Sequence, residues 1–157
     1  MKETKIILGS GSKYRAKQLR ALGLTFEQIA PGIDEKKYKS EIKAPLVLAS
    51  MLSDAKAEAV RKRLFNTISD SDDEKANAEY IIVGSDQLVA FEGEILGKPG
   101  TIENAVAQLL KLSGKEHSLI TAITVLKLTS EAITDCLFDA TGFSLDNSQV
   151  NLSLIHI

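Results

Sequence analysis

The sequence predicts a single α/β domain with a central mixed β-sheet flanked by helices. Short apolar runs of strand length alternate along the chain with longer segments of helical periodicity, which is the pattern of α/β proteins. The length of 157 residues suits one domain, and a hydrophobic content of 44% is enough to bury a core. Open α/β sheets bind ligands at the carboxyl ends of their strands, so polar residues at those ends are the first candidates for function.

The first strand and helix enclose a candidate phosphate site. Residues 5–8 (KIIL) predict a short buried strand, and the turn at 9–12 (GSGS) leads into a helix predicted over 13–22. Such a turn exposes backbone N–H groups at the positive end of the helix, where a phosphate is readily held. The alternative is an ordinary N-cap by Ser10 or Ser12, which is the commoner role of a lone Gly-Ser turn. A P-loop is excluded because its Gly-Lys-Ser/Thr ending does not occur here.

Two acidic residues and a lysine belong to the next elements. Residues 25–29 predict a second strand, and the loop after it carries Asp34 and Glu35. A helix is predicted over 45–65, because proline suits its first position and apolar residues recur at i+3 and i+4 spacing. Lys56 lies beside that apolar stripe, so its ammonium group can reach inward while its stem stays covered.

The middle of the chain predicts a loop, a strand and a hairpin. The acidic, turn-rich residues 69–74 are expected to form a solvated loop. Residues 80–83 predict the central strand of the sheet, which we expect to end at the motif 84–87 (GSDQ). Residues 88–91 and 95–96 then predict a hairpin around a Glu-Gly turn.

The last predicted elements are a helix and two strands. Thr101 caps a helix that continues to Leu112, and Gly114 stops it. Two β-rich runs follow at 119–128 and 132–138, and we expect them to pair in an antiparallel arrangement.

Asp86 is the strongest single candidate for chemistry. The motif GSDQ, followed by Gly-Lys-Pro-Gly, brings the Asp86 carboxylate, the Gln87 amide and the Lys98 ammonium group to the end of a buried strand. An acid at a strand end is better placed for a metal or a water molecule than one on a helix face. The alternative is that Asp86 merely caps the next turn, as many strand-end aspartates do.

Composition excludes several classes of protein. A net charge of -2 gives no case for nucleic-acid binding, which usually requires a basic patch or stripe. No apolar run approaches the roughly 20 residues that span a bilayer, and the charged start is unlike a signal peptide, so we expect no membrane association and a cytoplasmic location. The single Cys136 is interpreted as a core thiol. A homodimer is expected because this is the commonest soluble assembly.

A series of short motifs resembles those of the Maf family of nucleoside triphosphate pyrophosphatases, in the same order and at similar spacing. The motifs are 9–15 (GSGSKYR), 23–26 (GLTF), 34–35 (DE), 55–57 (AKA), 84–87 (GSDQ), 96–99 (LGKP) and 112–114 (LSG) with His117 and Thr121. The resemblance covers residues 5–126. It implies a Maf/ITPase-like fold and hydrolysis of a nucleoside triphosphate between its α and β phosphates, with a divalent metal such as Mg²⁺ or Mn²⁺.

The resemblance also implies a role for each matching residue. Asp86 would activate the attacking water as a general base or metal-bound acid, and Glu35 would hold the metal together with it. Lys98 would complete the catalytic set by neutralising charge that develops in the transition state. The substrate-binding residues implied are Ser10, Ser12, Tyr14, Arg15, Lys56 and Gln87.

Two positions resemble the branch of the family that acts on 7-methyl-GTP. The dTTP/UTP type carries Arg at Tyr14 and Thr at Gln87, whereas the 7-methyl-GTP type carries an aromatic residue and Gln. A methylated guanine is cationic, and an aromatic face attracts a cation by about 0.5–2 kcal/mol. The Tyr14 ring could instead pack on its own helix. The alternative functions are a dTTP/UTP pyrophosphatase of the same family and a non-catalytic nucleotide-binding regulator of cell division.

The resemblance ends near residue 138, after which the closing segment of the family is not recognisable. Residues 152–157 (LSLIHI) are what a sequencing adapter would encode if read in frame, and a native apolar strand is the alternative. We therefore expect a Maf-like domain over 1–151 whose C-terminal part is missing, followed by a non-native tail at 152–157. Missing strands would leave an unpaired sheet edge, which favours aggregation.

Overall fold

The computed structural model describes residues 3–69 and 78–129, and the backbone of 149–156. Six strands are described: β1 (Thr4–Gly9), β2 (Glu27–Gln28), β3 (Glu79–Phe91), β4 (Glu94–Leu96), β5 (Ser118–Leu128) and β6 (Gln149–His156). Four helices are described: α1 (Lys13–Ala21), α2 (Glu35–Glu41), α3 (Pro45–Ser69) and α4 (Ile102–Leu112). Together they form a mixed α/β fold around one sheet.

The sheet is mixed, as predicted. Its strand order is β2-β1-β3-β5-β6, and β4 pairs separately with β3. β1 pairs in parallel with both β2 and β3, whereas β3 pairs antiparallel with β4 and β5, and β5 pairs antiparallel with β6. The long strand β3 is therefore the centre of the sheet, with a parallel neighbour on one side and an antiparallel neighbour on the other.

Helix α3 crosses the sheet and packs on β3 and β5. Its apolar stripe contributes to two buried clusters, one containing Val60 with Ile82 and the other containing Leu52 with Ile120. Burying an aliphatic side chain of this size stabilises the fold by about 1.5–3 kcal/mol. The stripe therefore fixes the helix on the sheet, and residues beside it are held at defined positions.

Close packing at Gly84 sets the distance between α3 and β3. A Cβ atom at Gly84 would overlap the carbonyl oxygen of Ser53 and lie 2.7 Å from the backbone nitrogen of Ala57. Beside this contact, the buried hydroxyl groups of Ser53 and Thr124 are 2.8 Å apart, and the Thr124 hydroxyl donates to Asp54 Oδ1 at 2.6 Å. The glycine and the hydrogen bonds together bring the helix directly onto the strands at this level.

The predicted end of the central strand at the GSDQ motif is wrong. β3 continues through this motif as one strand, because each residue from Gly84 to Gln87 pairs with a residue of β5. The parallel pairing with β1, in contrast, stops at the Gly9–Gly84 pair. Asp86 therefore lies inside β3, two residues past the point where its parallel neighbour ends.

The predicted loop around Glu35 is also wrong, because Glu35 begins helix α2. Asp34 is the N-cap of this helix, and its Oδ1 atom accepts a hydrogen bond from the Lys36 backbone N–H at 3.0 Å. The helix is seven residues long (EKKYKSE), and Tyr38 is its only residue with a large apolar part. It therefore lacks the apolar periodicity on which a prediction from sequence depends.

Other elements agree with the predictions or differ only in length. Helix α4, with its N-cap Thr101, and the hairpin that joins β3 to β4 are confirmed. β2 is shorter than the predicted strand at 25–29, and α3 extends beyond residue 65. The predicted strand at 132–138, Cys136 and most of the acidic loop at 69–74 lie outside the described residues. The non-native tail at 152–157 stays a prediction, and the described backbone of 149–156 pairs with β5.

Candidate functional site

A cleft of about 1160 Å³ opens where β1 ends and α1 begins, and α2, α3, β3 and β4 contribute to its walls. It has the size of pockets that hold small ligands. All nine residues predicted to form the site line this cleft. They are Ser10, Ser12, Tyr14, Arg15, Glu35, Lys56, Asp86, Gln87 and Lys98.

Three charged side chains meet at the floor of the cleft. The Lys56 Nζ atom lies 2.6 Å from Asp86 Oδ1 and 2.8 Å from Glu35 Oε1. The side chains of Lys56 and Asp86 are each only 9% exposed. Buried charges are costly unless they are paired, so the ammonium group compensates the two carboxylates and holds them near each other.

The acidity of Glu35 is strongly perturbed by its neighbours. Burial raises its pKa, but hydrogen bonds and charge attraction from Lys56 and from Lys39, whose Nζ lies 3.0 Å from Glu35 Oε2, lower it further than burial raises it. The net result is a pKa of about 2. Glu35 is therefore ionised throughout the neutral pH range.

One oxygen of the Asp86 carboxylate is buried without a hydrogen-bond partner. Whereas Oδ1 accepts from Lys56, Oδ2 has no partner within the part of the chain that the structure describes. A buried acceptor that stays unpaired is energetically unfavourable, so such an atom calls for an explanation. A cation, a water molecule or a donor group of a ligand would satisfy it.

The donor set fits a divalent metal of the Mg²⁺ type. This ion is usually bound by one or two carboxylates together with phosphate oxygens and waters. Glu35 and Asp86 supply two carboxylates, which the ammonium group of Lys56 holds near each other. Within the described ranges, no group of three or more His, Cys, Asp or Glu side chains could hold a metal ion. The residues therefore fit a site that is completed by a ligand's phosphates, and not one enclosed by protein ligands alone.

The loop before α1 presents two hydroxyl groups at the cleft. Ser10 Oγ accepts hydrogen bonds from Arg15 Nη1 at 2.7 Å and from the Ser12 backbone N–H at 3.2 Å. Ser12 is the N-cap of α1, and its side chain accepts from the Arg15 backbone N–H at 3.3 Å. Since Ser10 Oγ already accepts twice, its own proton remains available to a ligand.

Arg15 adds a positive charge beside the acidic pair. Burial lowers its pKa from the usual value, and the neighbouring charges of Asp86 and Glu35 oppose that change. Arginine remains protonated in proteins even when its pKa is lowered, so the guanidinium group stays a cation. It can bind an anion through several N–H groups at once.

The remaining predicted residues lie towards the rim. Tyr14 is 84% exposed, so it does not pack on its own helix. The Gln87 side-chain amide donates to Thr121 Oγ1 at 3.1 Å, which leaves its carbonyl oxygen as an acceptor. Lys98 lies in the segment between β4 and α4.

The sequence reasoning missed Lys39, which lines the cleft and binds Glu35. The available signal was the spacing of four residues between the two side chains, which brings them together on one face of a helix. This spacing is informative only within a helix, and helix α2 was not predicted from the sequence.

The fold and the cleft define an α/β protein with a charged ligand site beyond the carboxyl end of a parallel strand. Residues 5–147 match the family described as Maf-like protein. The chain therefore belongs to the Maf-like family. No helix in the described segments is long and apolar enough to cross a membrane.

Two relatives carry the name 7-methyl-GTP pyrophosphatase. The protein from Bdellovibrio bacteriovorus is 40% identical over 125 residues, which are 80% of this chain and 58% of the relative. The protein from Idiomarina loihiensis is 41% identical over 126 residues, which are 80% of this chain and 57% of the relative. The chain thus spans less than three fifths of the length of these curated relatives.

A solved structure from Mycobacterium abscessus is described as a nucleoside-triphosphatase / dITP/XTP pyrophosphatase. It is 13% identical to this chain and covers 97% of it, while 72% of that structure is matched, with a TM-score of 0.43.

Proposed function

We propose that this chain catalyses the metal-dependent hydrolysis of a nucleoside triphosphate, 7-methyl-GTP, to the nucleoside monophosphate and pyrophosphate. The observation that carries the proposal is the ion cluster of Lys56, Glu35 and Asp86 at the floor of a cleft with an N-terminal helix turn above it. It combines two carboxylates with a site suited to phosphate. Membership of the Maf-like family and the names of the two relatives support the same reaction.

The triphosphate binds at the cationic side of the cleft. Ser10 donates its free hydroxyl proton, the N-terminus of α1 contributes its positive end, and Arg15 binds phosphate oxygens in a forked geometry. Lys98 and Lys56 are two further cations among those that line the cleft. They neutralise the charge that spreads over the phosphate oxygens in the transition state.

The base binds towards the rim. The exposed Tyr14 ring offers a face for the positively charged 7-methylguanine, an attraction of about 0.5–2 kcal/mol. The Gln87 carbonyl oxygen, whose direction is set by the hydrogen bond to Thr121, accepts from the N–H groups of the base. The bases of dTTP and UTP are not cationic, so the Tyr14 ring would not attract them in this way.

Asp86 removes the proton from the attacking water. Its buried Oδ2 atom has no partner among the described residues and is the acceptor that such a proton needs. The water oxygen forms a bond to the α phosphorus, the bond from that phosphorus to the bridging oxygen breaks, and pyrophosphate leaves with the bridging oxygen. Lys56 keeps the Asp86 carboxylate oriented through Oδ1.

Glu35 and Asp86 are the residues that would hold a divalent metal such as Mg²⁺ or Mn²⁺. When bound, the metal supplies charge neutralisation and polarisation of the phosphate oxygens. We also propose that the protein is located in the cytoplasm and forms a homodimer. Sedimentation of the purified chain tests the homodimer.

The proposal is tested by initial rates of pyrophosphate release with Mg²⁺ for 7-methyl-GTP, GTP, UTP and dTTP. We expect 7-methyl-GTP to be preferred and the Asp86→Asn variant to lose at least about 100-fold in kcat, as expected when a general base is removed. Faster hydrolysis of UTP or dTTP would favour the alternative branch. Nucleotide binding by the unmodified chain without pyrophosphate release would favour the non-catalytic regulator.

A further inference from the structure

The side chain of Gln28 contacts the loop at 9–12 from outside the cleft. Its side-chain amide nitrogen donates to the backbone carbonyl of Ser10 at 2.6 Å and lies 3.4 Å from the carbonyl of Ser12. Gln28 belongs to β2, where it pairs with Leu8, and it is not among the residues that line the cleft. One side chain outside the cleft therefore contacts two peptide groups of the loop that lines it.

The contact with the Ser10 carbonyl determines the direction of the Gly11 N–H group. A trans peptide unit is planar, and its C=O and N–H bonds point in opposite directions. When the Ser10 carbonyl points to Gln28, the N–H group of Gly11 points away from Gln28. The carbonyl of Ser12 also accepts the first helical hydrogen bond of α1, from the Ala16 N–H at 3.1 Å, so the loop and the helix are fixed together.

We propose that Gln28 is a positioning residue for phosphate, which acts by holding the loop at 9–12 with the N–H group of Gly11 directed into the cleft. This inference rests on the proposed function and extends it to a residue that does not touch the substrate. A carboxamide suits the task because its NH₂ group can donate two hydrogen bonds. An apolar side chain of the same length cannot donate, and the loop would gain freedom that phosphate binding must then remove.

The exposure of Gln28 makes the inference testable without damage to the core. The side chain is exposed, so replacing it leaves no cavity. Gln28→Met keeps the length and removes the donors, whereas Gln28→Asn keeps the donors but is one methylene shorter. Thr25→Val, an exposed polar-to-apolar change three residues earlier, is the matched control.

The experiment measures, by isothermal titration calorimetry on the full chain, the binding of inorganic triphosphate and of 7-methylguanosine. We expect Gln28→Met to weaken triphosphate binding about 3- to 10-fold, the range for a lost hydrogen bond or two, and Gln28→Asn to weaken it less. Binding of the nucleoside, which has no phosphate, is expected to stay unchanged. The melting temperatures and the Thr25→Val variant are expected to match the unmodified chain.

Unchanged triphosphate binding in Gln28→Met overturns the inference. Equal weakening of triphosphate and nucleoside, or a lowered melting temperature, also overturns it, because the residue would then only support β2. If the unmodified chain binds triphosphate but releases no pyrophosphate from any nucleotide, the proposed reaction fails, and the ratio of the triphosphate affinities still decides the role of Gln28.

Discussion

At the scale of single residues, the ammonium group of Lys56 organises the site. It lies between the carboxylates of Glu35 and Asp86, which are on different elements of the chain, α2 and β3. Without that cation, two negative charges would approach each other in a poorly solvated place. The same ammonium group orients Asp86 through one oxygen and leaves the other oxygen available for chemistry.

The lowered pKa of Glu35 predicts a specific acid sensitivity of the fold. Its value is about 2 in the folded chain against an ordinary value of 4.5, so the ionised group stabilises the fold above pH 4.5 and this contribution is lost as pH falls towards 2. We expect the Glu35→Gln variant to be less stable by about 1 kcal/mol at pH 7, because solvent screens a carboxylate that is 38% exposed. Urea denaturation at pH 7, 4.5 and 3 in the absence of metal measures the difference.

The control for this prediction is Glu92→Gln, which removes a carboxylate that is 62% exposed and lies 3.3 Å from Lys115. We expect that variant to change stability by less than about 0.5 kcal/mol at every pH. The difference in unfolding free energy between the unmodified chain and Glu35→Gln should shrink as the pH is lowered from 4.5. A difference that grows would contradict the ion cluster of Lys56, Glu35 and Asp86.

At the scale of elements, the site depends on the close contact between α3 and β3. Lys56 is on the helix and Asp86 is on the strand, so their hydrogen bond of 2.6 Å requires the two elements to stay at this separation. Gly84 permits the approach because it has no side chain toward the helix. The hydroxyl pair of Ser53 and Thr124 joins the same part of α3 to the neighbouring strand β5.

The Gly84→Ala variant is expected to disturb both the stability and the site. Its Cβ atom would overlap backbone atoms of α3, which cannot move as a flexible side chain can, so we expect a loss of about 1–3 kcal/mol of unfolding free energy and a fall in kcat. Thermal and urea unfolding measure the first effect. The control is Gly97→Ala, since nothing lies within 4 Å of a Cβ atom there. Equal stability of the two variants would show that the fold accommodates a Cβ atom at Gly84, which would contradict the prediction.

Elements with a strong local signal could be predicted from the sequence, and elements shaped by tertiary contacts could not. Helix α4 has a capping threonine and a regular apolar face, so its bounds followed from the pattern. The charged helix α2 has no buried residue, and its only local signals are the Asp34 cap and the spacing of Glu35 and Lys39. The apolar run at 80–83 suggested a strand that ends at the GSDQ motif, but the strand continues and its Gly84 allows the close approach of α3.

Candidate site residues were easier to predict than the geometry that joins them. All nine of them line one cleft, and they were predicted because the motifs that contain them resemble those of the Maf family in order and spacing. The hydrogen bond from Gln28 to the loop at 9–12 could not be predicted, since 16 and 18 residues separate the partners along the chain. Nothing in the local sequence of β2 indicates which loop its side chains contact.

At the scale of the whole molecule, the cleft collects residues from most of the described elements. The loop before α1, the start of α2, the middle of α3, the centre of β3 and the segment after β4 each contribute a side chain. These elements lie far apart along the chain and converge where β1 ends and β3 continues. A ligand in the cleft therefore contacts parts of the fold that are distant in sequence.

This arrangement predicts that the ligand stabilises the entire fold. A 7-methyl-GTP analogue with a methylene group between its α and β phosphates cannot be cleaved there, and at 100 times its Kd in the presence of Mg²⁺ it should add about 2.7 kcal/mol to the free energy of unfolding. For a chain of this length, that corresponds to an increase of about 5–10 °C in Tm, measured by differential scanning calorimetry. The control is 7-methylguanosine at the same concentration, which lacks the phosphates that we propose to bind at Arg15, Ser10 and the N-terminus of α1. An equal increase with the nucleoside would contradict a site organised around phosphate, and no increase with the analogue at any concentration would contradict a nucleotide site in this cleft.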